Sequence, residues 1–221
     1  MEATEKINEI RQQVALCTKC KLHLSRRNVV PGEGPVDCDI MFIGEAPGFH
    51  ENEEGKPFVG AAGKLLDELL AHAGLDREKV FITNVVKCRP PTNRDPEEEE
   101  LLACHPFLTA QMTTINPKMI VTLGRFSMAK FFGNGKVSNI HGHPRSVNGR
   151  LIVPMYHPAA ALHQPTLRSV LLEDFSKLPG FINLVDSVQP ESSADVKVPV
   201  NATTEQDKPE QNNIQQLNLF G

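Results

Sequence analysis

In DIMFIGEAPG, residues 39–48, an apolar run enters a glycine and then a Pro-Gly turn. A short apolar run bounded by turn residues has the character of a buried strand. The same pattern recurs downstream in KVFITNVV (79–86), KMIVTL (118–123) and RLIVPM (150–155). Segments of helical character separate the runs. AAGKLLDELLAHAGL (61–75) repeats apolar residues at helical spacing, with Gly74 as its stop. Asp95-Pro96 before Glu97 to Glu100 reads as a helix start: an N-cap, a proline at the first helical position, and acids on the positive end of the dipole. Further helices are expected over residues 3–16, from Gly124 to Phe132, and over 166–178. Strands alternating with helices predict an α/β fold with a mainly parallel sheet. Ligands in such sheets sit beyond the carboxyl ends of the strands. Those ends carry GEAPG, Asn84, Gly124 and His157, which together frame a candidate site.

Composition leaves the partner open. The chain has 221 residues, 40% of them hydrophobic, and a net charge of −4. From Asp186 onward there are six acidic and two basic residues, so the first 185 residues are neutral with 21 of each sign. A neutral domain can still present a basic face, so charge neither requires nor excludes a nucleic acid. No apolar run approaches the roughly 20 residues of a membrane span, and the opening MEATEKINEIRQQVAL lacks the apolar core of a signal peptide. A cytoplasmic protein without a membrane partner is expected.

Five cysteines in such a chain point to metal rather than to disulfides. Cys17 and Cys20 form a C-x2-C pair, Cys88 and Cys104 follow with 15 residues between them, and Cys38 is left over beside a strand start. Four thiolates satisfy either a tetrahedral zinc ion or a [4Fe–4S] cluster. With only one close pair, the ligands must be gathered by the whole fold.

Taken in order, C-T-K-C, GEAPGFHENEEGKPFVGAAGKLL, ITNVVKCRPPTNRDP, the Cys104 segment and YHPAAAL resemble the family 4 uracil-DNA glycosylases, over roughly residues 10–180. The resemblance implies a three-layer α/β/α fold around a four-stranded, mainly parallel sheet in residues 1–185. It also implies a [4Fe–4S] cluster on Cys17, Cys20, Cys88 and Cys104. The implied activity is hydrolysis of the N-glycosidic bond of deoxyuridine in single- or double-stranded DNA, leaving an abasic site for base-excision repair. The alternative is a noncatalytic Fe–S module that binds DNA and the clamp.

Cleavage of that bond develops positive charge on the sugar and negative charge on the departing uracil, so preorganised donors carry most of the catalysis. By the resemblance, His157 donates to uracil O2, helped by the backbone of Glu45 and Ala46. Gly44 allows close approach, Asn84 reads N3–H and O4, and Phe58 stacks on the flipped ring. Glu51 matches a position near uracil C5, where it excludes a methyl group or orients water. HPAAAL replaces the HPSPLS of family 1 enzymes, removing a serine contact to phosphate, and Leu162 is a candidate wedge. Residues 85–103 lack the His-bearing insertion of a related branch that forms a covalent DNA adduct. Lys87, Arg89, Arg94 and Arg145, the last near His141 and His143, are candidate phosphate contacts.

After Ser187 the composition turns polar and aperiodic, which predicts a disordered linker over 186–213. The final segment, 214–221, contains Gln216, Leu217, Asn218, Leu219 and Phe220, resembling the Q-L-x-L-F peptide with which bacterial repair proteins bind the sliding clamp. That implies a nucleoid-associated bacterial protein, expected to act as a monomer.

Overall fold

Four apolar runs pair as parallel strands in a computed structural model that describes residues 2–133, 135–147 and 149–187. Residues 188–221 lie outside the described residues; they hold most of the expected linker and the whole clamp peptide with Gln216, Leu217, Leu219 and Phe220. The strands are β1 (Ile40–Gly44), β2 (Phe81–Asn84), β3 (Met119–Leu123), β4 (Arg145–Val147) and β5 (Arg150–Met155), in the spatial order β2-β1-β3-β5-β4. All pairings are parallel except β4 with β5. The sheet therefore has five strands where four were expected. The fifth is an edge hairpin of Arg145-Ser146-Val147, short and largely exposed, so it carries none of the apolar signal that marks a buried strand.

Residues of β1 to β3 are buried throughout, as strands covered on both faces must be. Alternation sends Ile40, Phe42, Val121 and Val153 to one face, where they meet Leu65, Leu66, Leu69 and Leu70 of a helix at Ala61–His72. Phe42 stacks on Phe175 of a second helix, Thr166–Ser176, with ring centroids 5.9 Å apart. Met41, Ile43, Ile120 and Ile152 point the other way. They pack on Ile7, Ile10 and Val14 of the helix Glu2–Ala15 and on Phe107, Leu108 and Met112 of the helix Glu98–Ile115. The outcome is the expected three-layer α/β/α arrangement.

In chain order the helices are α1 (Glu2–Ala15), α2 (Phe49–Glu54), α3 (Ala61–His72), α4 (Glu98–Ile115), α5 (Arg125–Phe132), α6 (Val137–Ile140), α7 (Pro158–His163), α8 (Thr166–Ser176) and α9 (Leu178–Ser187). Gly74 stands just past α3 with φ +69°, the stop that its sequence suggests. The start of α4 differs from expectation. Its N-cap is Glu97 rather than Asp95, because Glu100 reaches back to the Glu97 amide at 2.8 Å and is itself held by Arg94. Asp95 pairs instead with Arg125. The helix expected over 166–178 breaks at Lys177, and α9 continues to Ser187. Among the described residues no helix is long and apolar enough to cross a membrane.

Candidate active site

Strand β1 ends at Gly44, paired in register with Asn84 at the end of β2. On the other side of the sheet's midpoint, Leu123 of β3 pairs with Met155 of β5, and the Gly124 amide donates to the Met155 carbonyl at 2.9 Å. The chain runs outward from β1 to β2 and then crosses back to β3. This reversal of strand order opens a crevice at the carboxyl ends. A cavity of about 570 Å³ occupies it, lined by Glu45, Ala46, Glu51, Phe58, Asn84 and His157 among others. That volume is within the range of small-ligand sites. Gly44 lies directly behind: a side-chain carbon there would meet Phe58 Cζ at 2.7 Å and crowd Asn84 Oδ1 still more. Glycine is what lets both side chains lean over the strand end.

Asn84 is almost fully buried, and its Oδ1 has no hydrogen-bond partner among the described residues. A buried acceptor left unmade costs free energy, so an orphan at a cavity wall marks where a ligand donor belongs. Opposite it, His157 is the N-cap of α7, and its Nδ1 accepts the Ala159 amide hydrogen at 3.1 Å. That bond places the ring proton on Nε2. Burial pushes the His157 pKa down to about 4, with the Glu51 carboxylate opposing the shift, so the imidazole is neutral at physiological pH. Gly124, at φ +90°, brings the β3 turn up against the His157 side chain, leaving 3.1 Å for a Cβ.

Phe58 is 6% exposed and adopts a left-handed backbone, φ 54°, which non-glycine residues rarely take. Such strain persists where the surroundings over-determine it, and it clusters at functional sites. Two features hold it. Gly63 of α3 admits the Phe58 carbonyl where any side chain would collide. Glu51 accepts from the Gly48, Val59 and Gly60 amides at 3.0, 3.0 and 2.9 Å, clasping both ends of the loop around Phe58. The Phe58 ring lies 5.5 Å from the His157 ring, 25° from parallel. The sequence pointed to Phe58 and Glu51, but not to the Gly63 approach that seats the phenyl ring.

At the cavity's other wall, the Glu45 carbonyl accepts from Val86 at 3.1 Å, which fixes the GEAPG backbone. Its carboxyl is pushed up to about 7, chiefly by burial and then by Asp95, while Arg125 opposes.

The basic candidates separate. Lys87 does not reach a phosphate. Its ammonium is buried and donates to Thr83 Oγ1 (2.6 Å), the Asn84 carbonyl (2.7 Å) and Gln111 Oε1 (2.7 Å), a brace beneath the end of β2. Arg94 lines the cavity, but its guanidinium is committed to Glu100 at 2.6 Å and to Glu97 at 3.2 Å. Arg89 is half-buried beside Asn93 and Phe49, and Arg145 is exposed on β4. His141 holds buried Asp174 at 2.6 Å, a contact internal to the fold, and His143 bonds the His141 carbonyl. Leu162 on α7 is 47% exposed.

Cys17 and Cys20 just after α1, Cys88 after β2 and Cys104 on α4 line one small internal cavity. Two of these sulfurs already receive donors: Arg26 to Cys88 and the Lys87 amide to Cys104, each at 3.3 Å. Burial pushes the Cys104 thiol up to about 11 and raises Cys88 and Cys20, so a cationic occupant is what would favour their thiolates. Among the described residues no group of three or more His, Cys, Asp or Glu side chains is placed to hold a metal ion. The four cysteines that line this cavity are the donor type and number that a [4Fe–4S] cluster takes. Cys38 lies apart, against the amino end of the sheet.

A profile of the Uracil DNA glycosylase superfamily matches residues 31–177. The chain is 50% identical over 190 residues to the type-4 uracil-DNA glycosylase of Sulfurisphaera tokodaii, covering 80% of this chain and 84% of that one. Against the type-4 enzyme of Saccharolobus solfataricus it is 52% identical over 189 residues, 79% and 85% of the two chains. Against that of Thermotoga maritima it is 47% identical over 188 residues, 82% and 98%.

Proposed function

The chain belongs to the uracil DNA glycosylase superfamily, and from that premise we propose that it excises uracil from DNA by hydrolysing the N-glycosidic bond of deoxyuridine. The observation that carries this reading is the orphaned Asn84 Oδ1 in the same cavity as a neutral, Nε2-protonated His157. A uracil flipped into the cavity offers N3–H to Asn84 Oδ1 and O4 to its amide nitrogen. Cytosine inverts both groups and leaves buried polar atoms unpaired, a strong basis for rejection. As the bond stretches, charge gathers on uracil O2, where His157 Nε2–H and the amides of Glu45 and Ala46 are the donors. Because the imidazole is already neutral and fixed, it stabilises that charge without surrendering a proton. Phe58 supplies the stacking face, and Glu51 keeps the loop around it closed.

Cys17, Cys20, Cys88 and Cys104 are assigned to a [4Fe–4S] cluster, whose contribution is to tie α1, the exit of β2 and α4 into one scaffold. Cys88 follows Asn84 by four residues, so anchoring it also anchors the base-reading strand end. The terminal Gln216, Leu217, Leu219 and Phe220 are assigned to a bacterial sliding clamp, with residues 188–213, the part of the expected linker beyond α9, as tether to a monomeric catalytic domain in the cytoplasm. Tethering raises the enzyme's effective concentration on DNA.

The test is release of uracil from a uracil-bearing oligonucleotide, followed by alkali scission. Asn84→Ala and His157→Ala should each lower the single-turnover rate by about 10²–10³, the scale of one lost preorganised donor. Intact binding with no scission by the wild type would favour a noncatalytic DNA-binding module instead.

A further inference from the structure

Phe49 is 52% exposed, belongs to neither hydrophobic core, and yet lines the same cavity as Asn84 and His157. Among the described residues the other large exposed apolar side chains, Leu16, Leu24, Leu102 and Leu162, are aliphatic, and none of them lines that cavity. Its presentation is rigid. Asn52, one turn along α2, is buried and accepts the Arg27 amide at 3.0 Å, while Asn28 donates to the Asn52 and Glu53 carbonyls at 3.0 and 2.9 Å. The short helix is thus anchored through Asn52 and Glu53, while Phe49 at its start stays half exposed.

The Arg89 guanidinium lies over this ring, 5.3 Å from its centroid, and His50 meets it edge-on. Arg89 is itself preorganised: its Nε donates to Asn93 Oδ1 at 2.7 Å, in a turn where Thr92 and Asn93 both have positive φ. Among the described residues no carboxylate pairs with Arg89, in contrast to Arg94 and Arg125 nearby. A half-exposed aromatic ring and a guanidinium with no carboxylate partner, side by side, match the two halves of a nucleotide: a base with a π-face and a phosphate.

We propose that Phe49 and Arg89 form a subsite for the nucleotide adjacent to the flipped deoxyuridine, the base stacking on Phe49 and the phosphate meeting Arg89. This rests on the glycosylase reading and extends it to the strand beside the lesion. Base–aromatic stacking tolerates any sequence, so the subsite imposes no sequence context. It does impose a strand state. A neighbouring base that is paired and stacked in a duplex must leave its stack to reach Phe49, whereas an unpaired one need not. The subsite therefore favours single-stranded substrate.

The experiment uses the full-length protein and single-stranded oligonucleotides with one uracil, each flanking nucleotide in turn replaced by an abasic tetrahydrofuran unit. For the wild type, removing the base on one side should lower kcat/KM about tenfold, the scale of one base–aromatic stack. Phe49→Ala should lose the same factor on the intact strand, become insensitive to that base removal, and keep its kcat; Phe49→Tyr should restore the wild-type pattern. Arg89→Gln should reduce the salt dependence of binding by about one phosphate contact. A 2-aminopurine in the same flanking position should be quenched on binding wild type but not Phe49→Ala, a readout independent of excision. Equal sensitivity of wild type and Phe49→Ala to base removal, or equal quenching, overturns the subsite. Quenching without any uracil release keeps the subsite and overturns the glycosylase reading instead.

Discussion

Replacing Gly44 by alanine adds one methyl group to the floor of the cavity without deleting any group assigned to chemistry. The new carbon would sit 2.7 Å from Phe58 Cζ and closer still to Asn84 Oδ1. Carbon atoms in favourable contact are about 3.5–4.0 Å apart, so the phenyl ring must retreat by about 1 Å and the amide by at least as much. Neither retreat is easy. Phe58 is pinned by Gly63 and the Glu51 clasp, and the Asn84 carbonyl is held by Lys87. Overpacking of this kind costs about 1–3 kcal/mol of stability, which a folded domain tolerates. A misplacement of about 1 Å at the reacting groups costs on the order of 10²-fold in rate. Single-turnover excision from a labelled uracil oligonucleotide, measured beside a thermal melt, separates the two effects. The expected variant melts cooperatively, somewhat earlier than wild type, and excises about a hundredfold more slowly. Wild-type excision in a cooperatively folded Gly44→Ala protein would refute the packing argument.

Three further outcomes follow from the geometry. Desolvation holds His157 neutral, with a pKa near 4 against an ordinary value of 6.5, so the unfolded chain takes up its proton first. The stability it contributes is complete above about pH 6.5 and falls as pH drops towards 4; an NMR titration of the ring should show that low midpoint, and a midpoint near 6.5 would contradict the assigned environment. Cys88→Ser should lose iron and the visible absorbance of a cluster, whereas Cys38→Ser should keep both; iron loss in both would place the centre elsewhere. Deleting residues 214–221 should spare excision on short oligonucleotides and abolish binding to a bacterial sliding clamp in surface plasmon resonance; undiminished clamp binding would remove the tail from that role.

Much of this site was legible because strand ends in a parallel sheet converge by topology. Once DIMFI, KVFITNVV, KMIVTL and RLIVPM read as strands, Gly44, Asn84, Gly124 and His157 had to meet along one edge. What escaped depends on contacts between distant segments. Lysine is expected at the surface, yet Lys87 is buried because Thr83, Asn84 and Gln111 supply three acceptors, and nothing local announces Gln111. Gly63 reads as a weak point in a helix, whereas it is where the Phe58 backbone docks. Asp95-Pro96 has the local form of a helix start, but Arg125 and Arg94 redistribute the carboxylates so that Glu97 caps α4. β4 was invisible since a three-residue exposed edge strand has no buried face to pattern.

Selectivity for the base that is set free is the sharpest probe of how Asn84 and His157 work together. Oligonucleotides carrying uracil, cytosine or thymine at one position would be incubated with the wild type, and the released base identified by mass spectrometry. Asn84 and His157 acting together in one cavity should release uracil alone and leave an alkali-labile site. Release of cytosine at a comparable rate, or of no base at all, would contradict the account.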